Sequence, residues 1–407
     1  MDMQEQLFSI ALGIREPIYI EEIRFESGEL HVFLNFYSGA EFACPQCGEN
    51  RKVYDTMTRQ WRHLNFFQYK TYLHFPTPRT DCSACGKRQV DIEWARPGSG
   101  FSLLFEAFAV ALIKGGLTFA ELGRATGEHD TRLRRIIDHY VEKAHGQKSF
   151  RKLSRVGIDE TSSRKGHRYI TVVTDHDSKA VVFATEGKGK DQIRQFANEL
   201  EKHDAASDQI QEVSMDMSGP FMAGVADNLP NANITFDRFH VMKLLNEAVD
   251  SVRRSEVKTN ELLKGTRYIW LKNRGNLTPS QIEKLQSLEN ENIDAARAYR
   301  LKLTFQDIYE HGGNAESAEI LMKGCLGEAE ASGLEPMIKC ASTIRKHMTG
   351  VLRYFTSKLT AGISEGLNSI IGTVKRRAHG YRNMRNFINM IYLVAGNLTL
   401  PDYPLPA

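Results

Sequence analysis

Asp159 closes the apolar run Val156-Gly157-Ile158, Asp216 closes Val213-Ser214-Met215, and Glu365 opens an amphipathic stretch that runs into Lys375-Arg376-Arg377. Two acids at the ends of predicted strands and a third on a late helix can hold two divalent cations about 3.5–4 Å apart against a phosphodiester. One cation would activate an attacking water or 3′-hydroxyl, and the other would steady the leaving oxygen. Hard carboxylate oxygens suit Mg2+ or Mn2+. A lone strand-end Asp is more often a cap or turn residue, so the case rests on the three together. Glu160 follows Asp159, but side chains alternate along a strand, and Asp159 is the member that continues the Gly157-Ile158 run. Asp237 reads first as a helix cap and second as a site residue. His240 reads as an ordinary, partly buried histidine before a DNA contact.

Glu365 carries the most information of the three. On its helix, Leu367, Ile370, Ile371 and Val374 define the expected buried stripe. Glu365, Asn368, Gly372 and Lys375 or Arg376 recur along another face, offering a metal ligand, an amide, a gap and cations to a phosphate backbone. Gly380 fits a helix C-cap, and Arg377, Arg382 and Arg385 extend the basic run. The alternative is a solvated helix with separated charges.

A second ligand set lies near the start. Cys44-Pro45-Gln46-Cys47 and Cys82-Ser83-Ala84-Cys85 are separated by 34 residues, and each is followed by glycine, Gly48 and Gly86. Four thiolates give the tetrahedral soft site that zinc prefers and leave no position for water, so the zinc is expected to be structural. A redox pair needs only one CxxC beside a βαβ unit. Cys325 and Cys340 stand alone and read as core residues.

These sites need elements to carry them. The pattern predicts a helix over 4–13 and a hairpin of 17–24 and 29–36 around Ser27-Gly28. An aromatic and basic stretch follows, with Trp61, Arg62, His63, Phe66 and Tyr72, and then a linker at Pro97-Gly98-Ser99-Gly100. Helices fit 101–114, 118–126 and 130–143, with a turn at Gly127 and a stripe of Leu133, Ile136, Ile137, Tyr140 and Val141. The last two helices have the length and turn of a helix-turn-helix. Arg132, Arg134 and Arg135 at the front of the later one are candidates for DNA contact; plain helical packing is the alternative.

Strands at 154–159, 168–174 and 179–185, a helix at 190–203, strands at 210–216 and 232–236 and a helix at 238–254 predict a mixed sheet with helices on its faces. After about 260 only helices are expected, punctuated by Gly312-Gly313 and by Gly324 or Gly327. The stretch 261–355 then interrupts the sheet domain before Glu365 completes it.

Charge is grouped. Residues 51–90 hold eight basic against two acidic residues, 124–155 nine against four, and 366–385 five against none, whereas 276–335 hold five against eleven. Three basic stretches suit a protein that touches a polyanion at several places. There is no apolar run long enough for a membrane span, and the acidic start Met1-Asp2-Met3-Gln4-Glu5 lacks a signal peptide's basic region, so a cytosolic protein is the default expectation.

The order of these features resembles the DDE transposases of bacterial insertion sequences, the ISL3 family, over nearly the whole chain. The most specific segments are Asp237-Arg238-Phe239-His240-Val241 and Glu365 to Asn383, with Gly-Ile-Asp-Glu at 157–160 and Met-Asp-Met-Ser at 215–218. Gly372-Thr373 stands where many members carry a lysine.

The resemblance implies a multidomain α+β protein. Its parts would be an N-terminal helix and hairpin (1–40), a zinc-ribbon-like DNA-binding β domain (41–97), a helix-turn-helix (101–150) and an RNase H-like mixed α/β catalytic domain (151–260 and 356–400) interrupted by an all-helical insertion (261–355). It implies a triad of Asp159, Asp216 and Glu365 binding two divalent ions, one structural Zn2+, and double-stranded DNA as partner, both as terminal inverted repeats and as target. Joining two DNA segments suggests a homodimer or larger assembly. Two alternatives share the fold: a DNA-binding regulator with a dead catalytic core, and a metal-dependent nuclease without strand transfer.

Overall fold

The computed structural model describes residues 3–164, 168–291, 293–360 and 362–402. The chain divides into two compact units, residues 1–144 with 398–407, and residues 145–397.

The first unit begins with α1 (Met3–Leu12), then β1 (Ile18–Glu26), β2 (Glu29–Phe36), β3 (Glu41–Ala43), β4 (Asn50–Phe66), β5 (Tyr69–Cys82) and β6 (Gly86–Gln89). The β1–β2 hairpin turns at Ser27 and Gly28, both at positive φ. The sheet order is β1-β2-β5-β4-β3, with β6 on β5, and β4 and β5 pair along most of their length. Ile20, Val32, Leu34, Trp61, Leu73 and Phe75 form its core.

Three helices follow: α2 (Leu103–Lys114), α3 (Phe119–Thr126) and α4 (Asp130–Gly146). Thr118 and Glu121 make a capping box at the start of α3, and Gly127, at φ 69°, ends it. The turn is tight enough that a Cβ on Gly123 would lie 2.9 Å from the Glu128 carbonyl. Leu133, Ile136, Ile137 and Val141 are buried as expected. Tyr140 is half-buried and donates to Glu106 at 2.7 Å. The expected linker at 97–100 is pinned, because buried Glu106 also accepts from Arg96 (2.9 Å) and Ser99 (2.6 Å).

Arg62 and His63 are structural. The Arg62 side chain is buried and reaches the Thr126 carbonyl (3.1 Å) and Glu128 (3.4 Å), tying the sheet to the helical turn. Burial, with Arg62 alongside, pushes the His63 imidazole down to about 4.

The second unit is built on β7 (Arg155–Arg164), β8 (Arg168–Asp175), β9 (Ala180–Glu186), α5 (Lys190–Lys202), β10 (Glu212–Met215), α6 (Gly219–Asn228), β11 (Asn233–Phe236) and α7 (Arg238–Glu256). The sequence pattern did not reveal α6, whose one clear mark is Pro220 in its first turn. The sheet order is β11-β10-β7-β8-β9. β7, β8 and β9 are antiparallel neighbours, while β7, β10 and β11 run parallel. Ile193, Phe196 and Leu200 of α5 and Phe221 and Val225 of α6 pack against Val156, Ile158, Val173 and Val213.

The helical block comprises α8 (Arg267–Leu271), α9 (Pro279–Glu289), α10 (Asp294–His311), α11 (Ala315–Ala331), α12 (Glu335–Lys346) and α13 (Met348–Ser357), followed by α14 (Gly362–Arg377) and α15 (Met384–Ala395). Its core is continuous with β11 and α7, since Phe236, Val241, Leu245 and Val249 pack with Trp270, Tyr299, Phe305, Val351 and Phe355. Cys325 and Cys340 lie in that core, as expected. Gly312-Gly313 ends α10, but Gly324 and Gly327 do not punctuate: both lie inside α11. Burial of Ala318, Met322, Cys325, Leu326 and Ala329 on one face outweighs the roughly 1 kcal/mol helix penalty of each glycine.

Candidate functional site

The four cysteines converge. One sulfur from each of Cys44, Cys47, Cys82 and Cys85 lies within 4.8 Å of all the others. Cys47 Sγ and Cys82 Sγ are 3.7 Å apart, close to the roughly 3.8 Å edge of a tetrahedron with Zn–S bonds of about 2.3 Å. Gly48 and Gly86 both adopt the left-handed φ that each tight turn demands. The N–H groups of Ala84 and Cys85 pull the Cys82 thiol down to about 6, while desolvation and the facing thiols push Cys85 up to about 12. Backbone N–H groups of Gln46 and Cys47 also pull the Cys44 thiol down, and crowded sulfurs with favoured thiolates fit a soft dication.

At the helix-turn-helix, Arg132 pairs with Glu128 and lies over Phe101, with 4.4 Å from guanidinium to ring centre. Arg134 pairs with Asp130 at 3.6 Å and lies over Phe119 at 4.5 Å. Arg135 is exposed on α4.

In the second unit the carboxylates gather where the parallel strands stop. The run ending at Asp159 is not a strand end, because β7 continues to Arg164, paired with β8, and Asp159 faces Val172 across the ladder. On its other edge, β7 pairs with β10 only as far as Gly157–Ser214. Asp159 therefore sits where β10 has peeled away, which opens the side that a strand end would have opened. Asp216 directly follows β10, and Asp237 directly follows β11. Asp159, Asp216, Asp237, His240 and Ser364 line one cavity of about 10 Å³, room for a single water-sized body.

Each acid is oriented. Asp159 accepts from the Glu160 N–H (2.7 Å) and from Asn368 Nδ2 (2.7 Å), and Asp216 accepts from the Ser218 N–H at 3.0 Å. Asp237 occupies the cap position of α7, yet its carboxylate does not cap the helix. It is buried and bonds His240 Nδ1 at 3.0 Å. Desolvation raises the Asp159 pKa, with Asp216 adding repulsion, and the Asp237 hydrogen bond raises that of His240, aided by the charges of Asp159 and Asp216. An oxygen-rich donor set whose carboxylate charge is disfavoured by burial and by a neighbouring acid fits a hard divalent cation. Glu160 is held apart by its ion pair with Lys188.

α14 meets the sheet through Gly157. A Cβ there would lie 2.7 Å from both Ser364 Oγ and Thr174 Oγ1. This approach sets the rotation of α14 and corrects the expected stripe: Ser364 and Ile371 are buried, whereas Ile370 is 45% exposed. Asn368 and Lys375 face β7, the latter donating to the Ser162 carbonyl. Glu365 is exposed and lines an adjoining cavity of about 500 Å³, whose wall also includes Asp237. Asp159 and Asp216 are thus brought together, and Glu365 stands beside them with Asp237 between. Arg376, Arg377 and Arg382 are exposed. Asp237, which reads first as a helix cap, lines the cavity, and Gly157 admits α14; an acid just after a short parallel strand, and a glycine inside one, are their signals in the sequence.

Among the described residues, no helix is long and apolar enough to cross a membrane.

Comparison with known proteins agrees with this division. Residues 156–391 match an ISL3 family described as "Transposase", residues 90–141 match the helix-turn-helix domain of transposase family ISL3, and residues 40–85 match the zinc-finger of transposase IS204/IS1001/IS1096/IS1165. The chain is 28% identical to the transposase for insertion sequence element IS1001 of Bordetella parapertussis, covering 84% of this chain and 86% of that one. It is also 28% identical to the transposase for insertion sequence element IS1557 of Mycobacterium tuberculosis, covering 97% of each.

Proposed function

The chain belongs to the ISL3 family of transposases, and from that premise we propose that it binds the terminal inverted repeats of an insertion sequence, cuts one DNA strand at each end, and joins the freed 3′-hydroxyl to target DNA. The observation that carries the reading is the convergence of Asp159 and Asp216 at the carboxyl edge of the sheet, with Asn368 of α14 holding Asp159. The strand order, three antiparallel strands and then two parallel ones, supports an RNase H-like catalytic core formed by residues 151–260 and 356–400, with 261–355 inserted.

In this reading Asp159, Asp216 and Glu365 are the catalytic ligands of two divalent ions. Bound there, such ions supply Lewis acidity to the attacking and leaving oxygens. The chain's own residues do the positioning. The Glu160 N–H and Asn368 fix the Asp159 carboxylate, the Ser218 N–H fixes Asp216, and Asp237 orients His240 beside them through a hydrogen bond. Arg376, Arg377 and Arg382 are exposed where a phosphate backbone leaving the site would pass, and Lys375 and Asn368 hold the same helix against β7. Arg132, Arg134 and Arg135 contact the DNA ends from the helix-turn-helix (101–150), and the zinc ribbon (41–97) and the N-terminal hairpin (1–40) extend that surface. Because strand transfer joins two segments, the active form is a dimer or larger on paired ends.

The test is a cleavage and joining assay on duplexes carrying the inverted repeats that flank the gene, with and without Mg2+ or Mn2+. Joined products with a plasmid target separate this reading from a simple nuclease, and binding without any cleavage would favour a regulator.

A further inference from the structure

A further set of metal-ligating side chains lies on the β9 side of the second unit's sheet, the edge away from β10 and β11. His145 in the last turn of α4, Glu199 in the last turn of α5 and His203 directly after α5 each bring one ligand atom within 4.8 Å of the other two. Both imidazoles are buried, and their ring centres are 4.9 Å apart, with the planes at 78°. Each ring is turned by a main-chain carbonyl. His145 Nε2 donates to Val182 (3.1 Å), and His203 Nδ1 donates to Lys148 (2.7 Å). The nitrogen that donates carries the single proton of a neutral imidazole, so Nδ1 of His145 and Nε2 of His203 present lone pairs. Burial lowers the His145 pKa and keeps that ring in the neutral, ligating form. His203 Nε2 lies 3.3 Å from Glu199 Oε1, so two acceptors face each other. Lys202 takes the other carboxylate oxygen, Oε2, at 2.9 Å.

Lone pairs gathered in a buried place need a cation. A proton bridges His203 and Glu199 but leaves His145 out, whereas a divalent ion serves all three. The 3.3 Å between His203 and Glu199 matches the edge of a tetrahedron with metal–ligand bonds of about 2.0–2.1 Å. Imidazoles held from behind by carbonyls are the usual outer shell of a metal site. The carboxyl ends of α4 and α5 also meet here, and their dipoles favour positive charge. Two imidazoles and a carboxylate suit Zn2+, with water in the fourth position. We propose that His145, Glu199 and His203 bind a zinc ion separate from that of the cysteines, and that it clasps the last turn of α4 to the end of α5. This stands independently of the strand-cleavage reading.

The experiment counts metal on the full-length protein, equilibrated with Zn2+ and freed of unbound ion by gel filtration. The parent should hold two zinc ions per chain, and Cys82→Ser, His203→Gln and Glu199→Gln should each hold one. Co2+ in place of zinc tells the two sites apart. At the cysteines it gives strong thiolate-to-metal absorption in the near ultraviolet, and Cys82→Ser should keep only the weak visible bands of a nitrogen and oxygen site. Glu199→Gln decides between a metal and a hydrogen-bonded cluster. Its amide can donate an N–H to His203 and preserve the hydrogen bond, but it lacks the charge that zinc requires. It should fold like the parent by circular dichroism, lose one zinc, and show faster amide exchange over residues 145–150 than the zinc-loaded parent. The proposal is overturned if the parent holds a single zinc that Cys82→Ser removes, or if Glu199→Gln still holds two.

Discussion

The four thiols and the acids proposed as metal ligands at the sheet edge are assembled by opposite means. Each thiol pair is fixed by a short turn with a glycine at positive φ, so a few contiguous residues define half of the site. The acids come from the middle of one strand, the ends of two others and a helix much later in the chain. Their positions depend on where β10 and β11 stop and on how α14 is rotated by its contact with Gly157. A site made of turns is expected to fold with its metal, whereas a site made of strand ends is expected to be held by the core before any metal arrives.

The largest effect that could break this contrast is loss of zinc. Structural zinc contributes roughly 10 kcal/mol or more in small modules. Cys82→Ser should therefore remove the zinc bound by the four thiols, measured by metal analysis, and open the sheet around β3 to β6 to hydrogen exchange. The carboxylate site should not respond in that way. Stripping divalent ions with a chelator too weak to extract zinc should leave exchange in β7, β10 and β11 unchanged.

Next in size, Asn368→Ala frees one oxygen of Asp159 and should slow metal-dependent cleavage by about tenfold to a hundredfold, while raising the Mg2+ concentration needed. Affinity for the DNA ends should stay the same in a gel-shift assay. Gly157→Ala sharpens the point about α14. The added methyl meets Ser364 and Thr174, so overpacking of about 1–3 kcal/mol is expected, read as a lower midpoint in denaturant. Smaller still, Arg135→Ala should weaken binding to all DNA sequences alike and reduce the salt slope of log K by about one.

The first unit should also show a pH dependence of its stability. His63 is held neutral by burial, with a folded pKa near 4 against about 6.5 unfolded. The unfolded chain therefore binds the extra proton first. The stabilisation from a neutral His63 is complete above about pH 6.5 and is lost as pH falls from there toward 4. Amide exchange in β4 and β5 should accelerate over that interval in the parent protein, and His63→Gln should flatten the dependence.

The contrast also explains what could be read in advance. The cysteine cluster, the hairpin at Ser27-Gly28 and the helix that ends at Gly127 were legible because each is written in neighbouring residues. The strand through Asp159 was read as ending too early, since nothing local signals that β8 keeps pairing with it as far as Arg164. Ile370 looked buried because periodicity cannot tell which side of α14 meets the sheet; that is decided by the missing side chain at Gly157. Gly324 and Gly327 looked like breaks because propensity is weak against a buried helix face. Asp237 looked like a cap, and it holds the cap position, but its carboxylate is turned to His240.

The central claim is that the acids at the sheet edge carry out metal-dependent strand cleavage. Its most direct test compares the parent protein with Asp159→Asn, Asp216→Asn and Glu365→Gln on labelled duplexes carrying the gene's terminal repeats, in Mg2+ and Mn2+. The expected result is cleavage by the parent only with a divalent ion, and a loss on the order of a thousandfold or more in each variant with DNA binding unchanged. Cleavage that persists in Asp159→Asn or Asp216→Asn, or that proceeds without a divalent ion, would contradict the account.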